Sequence, residues 1–127
     1  MDKSIKLISR IIMALPIAIF GLFHLTNGHA VSAAVPAWLP GPMFWVYLTG
    51  TFHILYAIFA IGNIRYAAWF ALIMAGLLFF YAFLIHLPGM LAAGKDQMKS
   101  MGEMINMLKD TVMGGGALYL FTELKKK

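Results

Sequence analysis

The chain contains no cysteine and only five acidic residues among its 127. The first absence excludes disulfides, thiol redox chemistry and cysteine-ligated metal or iron–sulfur centres. Any redox role therefore needs a bound cofactor or a partner. The second leaves no evident carboxylate pair for hydrolysis. Familiar catalytic motifs are also missing: there is no HExxH, no Ser/His/Asp set with an evident geometry, and the GGG at 114–116 lacks the GKT and the preceding strand of a phosphate loop. Charged residues amount to only 12% of the chain, against 61% hydrophobic residues and a mean hydropathy of +0.81. That balance lies far outside the range of a soluble domain and describes a membrane protein.

Four segments are long and apolar enough to cross a hydrocarbon core about 30 Å thick, which takes roughly 20 helical residues. They cover residues 7–28, 43–61, 67–87 and 105–124. They use almost the whole chain, so the expectation is one all-α domain over residues 1–127, an integral membrane four-helix bundle. A lipid-exposed backbone must satisfy its own hydrogen bonds, which favours this architecture. The first segment is too long, and ends too polar in HLTNGH, to be a cleaved signal peptide.

The net charge of +5 does not indicate nucleic acid, because the basic residues sit at the ends of the segments. Lys3, Lys6 and Arg10 stand at the start of the first, Arg65 lies in the short loop GNIRY, and Lys125, Lys126 and Lys127 end the chain. Residues 28–42 contain no Lys or Arg, and Lys95 and Lys99 are offset by Asp96 and Glu103. The positive-inside rule then places both termini and the second loop in the cytoplasm, N-in and C-in, with anionic lipids as neighbours of the basic ends. Pro16 is expected to kink the first helix or be absorbed by its neighbours. The loop AVPAWLPGP, with three prolines, reads as a rigid extended cap over the outer surface.

Three histidines lie inside apolar segments: His24, His53 and His86. Ionisable groups are costly at membrane depth and mark candidate sites. Gly21 and Gly28 flank His24 at helical spacing, and Thr49, Gly50 and Tyr56 surround His53 in the same way, so both rings are expected to face the helix contacts. Asn106, Asp110, Gly114 and Ala117 form one face of the fourth helix; alternatively Lys109 and Asp110 are interfacial charges and that helix starts later. At ~1.5 Å per residue, His24 lies about 6 Å and His53 about 15 Å below the outer ends of their helices, with His86 and Asp110 shallow. Such a stagger suits an elongated ligand, such as a quinone head group, better than one metal ion with nitrogens within ~2.1 Å. The candidate ligand set is His24, His53, His86, Asp110, Asn106 and Tyr56. In the plainer reading each histidine donates one hydrogen bond across a helix interface and does nothing else.

Met98, Met101, Met104 and Met107 recur every three residues in MKSMGEMINM. Thioethers bind soft Cu(I), so a copper or haem site on His24, His53 and His86, with this methionine run as an outer relay, is a second reading. The alternative is one face of an amphipathic helix on the membrane or capping the bundle.

The stretches RIIMALPIAIFGLFHLTNG, LTGTFHILYAIFAIGNIRYAAWFALI and NMLKDTVMGGGALYLF, with the proline-rich loop between the first two, resemble the DoxX family of small bacterial membrane proteins. The resemblance covers nearly the whole chain. It aligns Gly21, His24, Pro36, Pro40, Gly50, Asn106, Lys109, Asp110, Gly115 and Gly116 with family positions, and it departs at His53, where many members carry Glu. It implies a component of a membrane redox system in the bacterial inner membrane, an oxidoreductase subunit working with a redox partner protein; a non-catalytic subunit of a larger complex, packed through its glycine-rich faces, is a third reading. Four helices are few for enclosing a large ligand, which a homodimer would remedy.

Overall fold

The computed structural model describes residues 2–126. Its regular structure is helical, and no strand occurs among the described residues. Helix α1 spans Lys3–Thr26, opened by Asp2, whose carboxylate accepts the Ser4 N–H at 3.2 Å. It runs through Pro16 without interruption. A short helix α2 (Gly28–Ser32) and a run of turns lead to α3 (Pro42–Gly62), which starts with proline in its first turn, where no N–H partner is needed. The proline-rich loop is therefore compact rather than extended. Its backbone closes on itself through Ala34 N–H to Val31, Val35 N–H to Ser32 and Leu39 N–H to Pro36.

Helix α4 (Ala67–Phe80) passes into a π-helical segment, Tyr81–His86, and then into α5 (Leu87–Ala92). The widened turn is visible in the Leu87 N–H, which bonds to the Ala82 carbonyl five residues back. It lies just before Pro88, whose ring would collide with the Leu84 carbonyl in a regular α-helix. Widening lets the helix continue to Ala92, where the sequence suggests an end near residue 87. Asp96 caps α6 (Gln97–Lys125) by accepting the Lys99 N–H at 3.1 Å, so this helix starts eight residues before the expected 105.

Three helical stretches among the described residues are long and apolar enough to cross a membrane: Lys3–Thr26, Pro42–Gly62 and Ala67–Ala92. The expected fourth, at 105–124, is not one of them. At 29 residues α6 has ample length, about 43 Å at ~1.5 Å per residue, but Lys99, Glu103, Lys109, Asp110 and four glycines dilute its apolar character.

α1 packs along α3, and α4 along α6, and the two pairs meet mainly through α3 and α4. The buried core comprises Ala14, Ile17, Tyr56, Ala57, Ala60, Ala71, Met74, Ala75, Leu78, Ala117 and Leu120. Six of these eleven are alanine, the small-residue lining that lets apolar helices approach closely. Large side chains point outward instead: Ile12, Ile19, Leu22, Ile73 and Val112 are each more than half exposed. Such a surface is untenable in water over this extent and suits hydrocarbon.

Candidate functional site

Near the end of the molecule where α1 stops and α3 begins, a cavity of about 750 Å³ opens between the helices. Its walls are apolar, with Phe20, Leu48, Phe52, Leu77 and Met113 among them. Val35, Pro36, Trp38 and Leu39 of the proline-rich loop form one side, held by a hydrogen bond from Trp45 Nε1 to the Pro40 carbonyl at 2.9 Å. Into this space project His24, His53, His86, Asn106 and Asp110, five of the six sequence-selected binding residues.

His24 and His53 are stacked, their ring centroids 5.1 Å apart and their planes at 29°. This is closer than helix depth alone suggests, and the glycines explain it. A Cβ on Gly21 would lie 2.6 Å from the Gly50 carbonyl oxygen and 2.7 Å from His53 Cβ; a Cβ on Gly50 would lie 2.6 Å from His24 Cβ. The antiparallel register thus sets each glycine against the histidine of the other helix, about one turn apart, and brings the two rings face to face. Each ring also bonds back to its own helix, His24 Nδ1 to the Phe20 carbonyl (2.7 Å) and His53 Nδ1 to the Thr49 carbonyl (2.5 Å). A carbonyl only accepts, so both Nδ1 atoms carry the proton, and in the neutral ring Nε2 is left as an acceptor. Tyr81 also stacks with His53, 6.0 Å away at 10°, and its buried hydroxyl has no hydrogen-bond partner.

His86 has a different environment. Its Nδ1 lies 2.7 Å from Glu103 Oε2 and its Nε2 3.2 Å from Asp110 Oδ2. Lys109 Nζ is 3.4 Å from Asp110 Oδ1 and 3.4 Å from Asn106 Oδ1, and sits 4.1 Å from the centroid of the Phe20 ring. With a proton on both ring nitrogens, His86 and Lys109 balance Glu103 and Asp110. Gly89 makes room for this chain of contacts: a Cβ there would lie 2.9 Å from the Glu103 carboxylate carbon. Gly89→Leu is therefore expected to push Glu103 off His86 and cost about 1–3 kcal/mol. Thermal unfolding in detergent checks this, with Gly76→Leu as a control at a site with nothing within 4 Å.

Two sequence-based expectations are corrected by this geometry. Tyr56 does not reach the cavity; it is fully buried in the alanine-rich core with its hydroxyl unpartnered. Met98, Met101 and Met104 lie outside the cavity, 77%, 48% and 40% exposed at the start of α6. A period of three drifts about 60° per step around an α-helix, so the run winds over the surface instead of lining one face.

The three histidines are not brought together as one ligand set. Among the described residues no three His, Asp or Glu side chains converge on one point. His86 has both nitrogens directed at carboxylates, on opposite sides of its ring. Haem held by two histidines needs their nitrogens aimed at iron from opposite faces of the macrocycle, and stacked rings 5.1 Å apart leave no room for it.

Tyr81 and Glu103 are functional candidates that sequence reasoning missed. Tyr81 shares a face with His86 because of the π-helical turn, which an α-helical count does not reveal. Glu103 was detectable, standing three and seven residues before Asn106 and Asp110 on one helical face once the helix is known to start at Asp96. Comparisons with protein-family models, with curated proteins and with solved structures found no match.

Proposed function

We propose that the chain is a DoxX-like, four-span membrane protein of the bacterial inner membrane, N-in and C-in, that holds a quinone-type head group in the histidine cavity as part of a membrane redox system. The observation that carries this reading is the cavity itself. It has about 750 Å³ of largely apolar space, the size and character of a small-molecule site, with a few convergent polar groups. α6 acts as the fourth span; its Asp110, Gly114 and Ala117 are buried against the other helices while Val112 and Tyr119 face outward.

The hydrogen-bond assignment favours the reduced, hydroxyl-bearing form. His24 and His53 present Nε2 acceptors to a quinol hydroxyl. On oxidation the quinol gives its two electrons to a redox partner protein and its two protons to the histidines. Asp110, His86 and Glu103, whose side chains are 5%, 16% and 27% exposed, form a graded chain of polar contacts by which protons leave for the outer surface.

Lipid extraction of protein isolated from native membranes should recover quinone. Added quinol should also stabilise the purified protein, by about 2.7 kcal/mol at a hundredfold excess over Kd. No quinone and no thermal shift would sink this reading. If replacing His24, His53 and His86 together with Asn left the activity and assembly of its complex intact, the chain would be a non-catalytic subunit.

A further inference from the structure

A second concavity, of about 530 Å³, lies at the other end of the helices, between the first turns of α1, the end of α3 and the last turns of α6. Lys3, Lys6 and Arg10 line one side, with Ser9, Asn63 and Tyr119 as further polar neighbours. The three cations have no acidic partner among the described residues. Asp2 spends its carboxylate on the Ser4 N–H, and Glu123, the acid that borders the pocket, is paired with Lys126 at 2.5 Å. Arg10 Nε is buried and has no hydrogen-bond partner. A guanidinium N–H removed from water without an acceptor is destabilising, and a bound anion would satisfy it.

The rest of the pocket narrows the class of anion. Met13, Leu120 and Leu124 give it an apolar floor. A small inorganic anion would leave that floor unused, whereas a lipid sets its phosphate beside the cations and its acyl chains along it. Arginine suits phosphate through its planar array of donors, and a basic pocket between helix ends at a membrane face is well placed to take such a head group. We propose that this pocket is a specific binding site for a phosphate oxyanion, presented by an anionic phospholipid, with Arg10 as the central donor and Lys3 and Lys6 as supporting cations. The proposal is independent of what occupies the histidine cavity.

Native mass spectrometry of the whole protein in neutral detergent tests it, with phosphatidylglycerol, phosphatidylcholine of the same acyl chains, and inorganic phosphate at fixed ionic strength. Phosphatidylglycerol should be retained in preference to phosphatidylcholine. Arg10→Gln should weaken its binding about tenfold, and Arg10→Lys, which keeps the charge but removes the Nε donor, should weaken it severalfold. Lys95→Gln with Lys99→Gln, an equal or greater loss of charge at the other end of the protein, should change nothing. Should Arg10→Gln not fold, Lys6→Gln carries the same comparison with a smaller expected loss. Failure of inorganic phosphate to displace the lipid assigns the site to the headgroup; displacement at millimolar concentration keeps the oxyanion site but makes free phosphate its ligand. Equal retention of the two lipids, or equal weakening by the Lys95 and Lys99 changes, overturns the proposal.

Discussion

His86→Leu is expected to destabilise the protein by about 1–3 kcal/mol, the cost of leaving a polar group without its partner in a largely enclosed site. The size follows from its position between two carboxylates, 2.7 Å from Glu103 and 3.2 Å from Asp110, with its side chain only 16% exposed. After the change Asp110 keeps Lys109, but Glu103 loses its partner while remaining largely enclosed. Glu103→Gln should be milder, about 1 kcal/mol, because an amide can still accept from His86 and the site is partly wet. Introducing Glu103→Leu into His86→Leu should recover part of the loss, since replacing both partners with apolar groups removes the unpaired charge. Unfolding in detergent followed by circular dichroism measures all three. A cost below 1 kcal/mol for His86→Leu would show that the Glu103–His86–Asp110 chain is not formed, and the proposed proton path would go with it.

The second large effect is expected at the α1–α3 crossing. Gly50→Ala places a Cβ 2.6 Å from His24 Cβ and 3.0 Å from the Gly21 carbonyl oxygen. Gly21→Ala meets the Gly50 carbonyl oxygen at 2.6 Å. Backbone atoms cannot rotate out of the way, so the helices must separate, at about 1–3 kcal/mol or more for each change. Separation also unstacks His24 from His53, which a merely structural defect elsewhere would not do. Loss of the upfield ring-current shifts of the imidazole protons reports it directly. The double variant should cost less than the sum of the singles, because the first change already opens the gap. Gly115→Ala, where nothing lies within 4 Å, should be neutral or slightly stabilising, since alanine is the better helix former by about 1 kcal/mol.

Much of the site was legible because polar residues in an apolar sequence are conspicuous. His24, His53, His86, Asn106 and Asp110 each stand out against hydrophobic neighbours, and all five line one cavity. Tyr56 illustrates where this reasoning stops. It shares helical spacing with His53, but spacing along one helix does not say which neighbouring helix lies there, and at Tyr56 the neighbour is the alanine-rich core. The methionine run was misleading for a related reason: regular spacing every three residues looks like a face only over a short distance. Tyr81 was hidden because its alignment with His86 depends on a local change of helical pitch ahead of Pro88.

Composition and hydropathy by themselves determined the helical class, the apolar exterior and the absence of thiol chemistry, since these depend on residue type and on the free energy of burying or exposing it. The same sequence also marked the histidines as the residues to watch. Tertiary structure alone decided how they are used. The glycine crossing stacks His24 on His53 and directs both Nδ1 atoms to backbone carbonyls, while Glu103 and Asp110 take the two nitrogens of His86. The reason is that a hydrogen bond or a charge pair depends on distances of a few ångströms between residues far apart in the chain. Those distances are set by helix register and by which side chains are small enough to let two backbones meet.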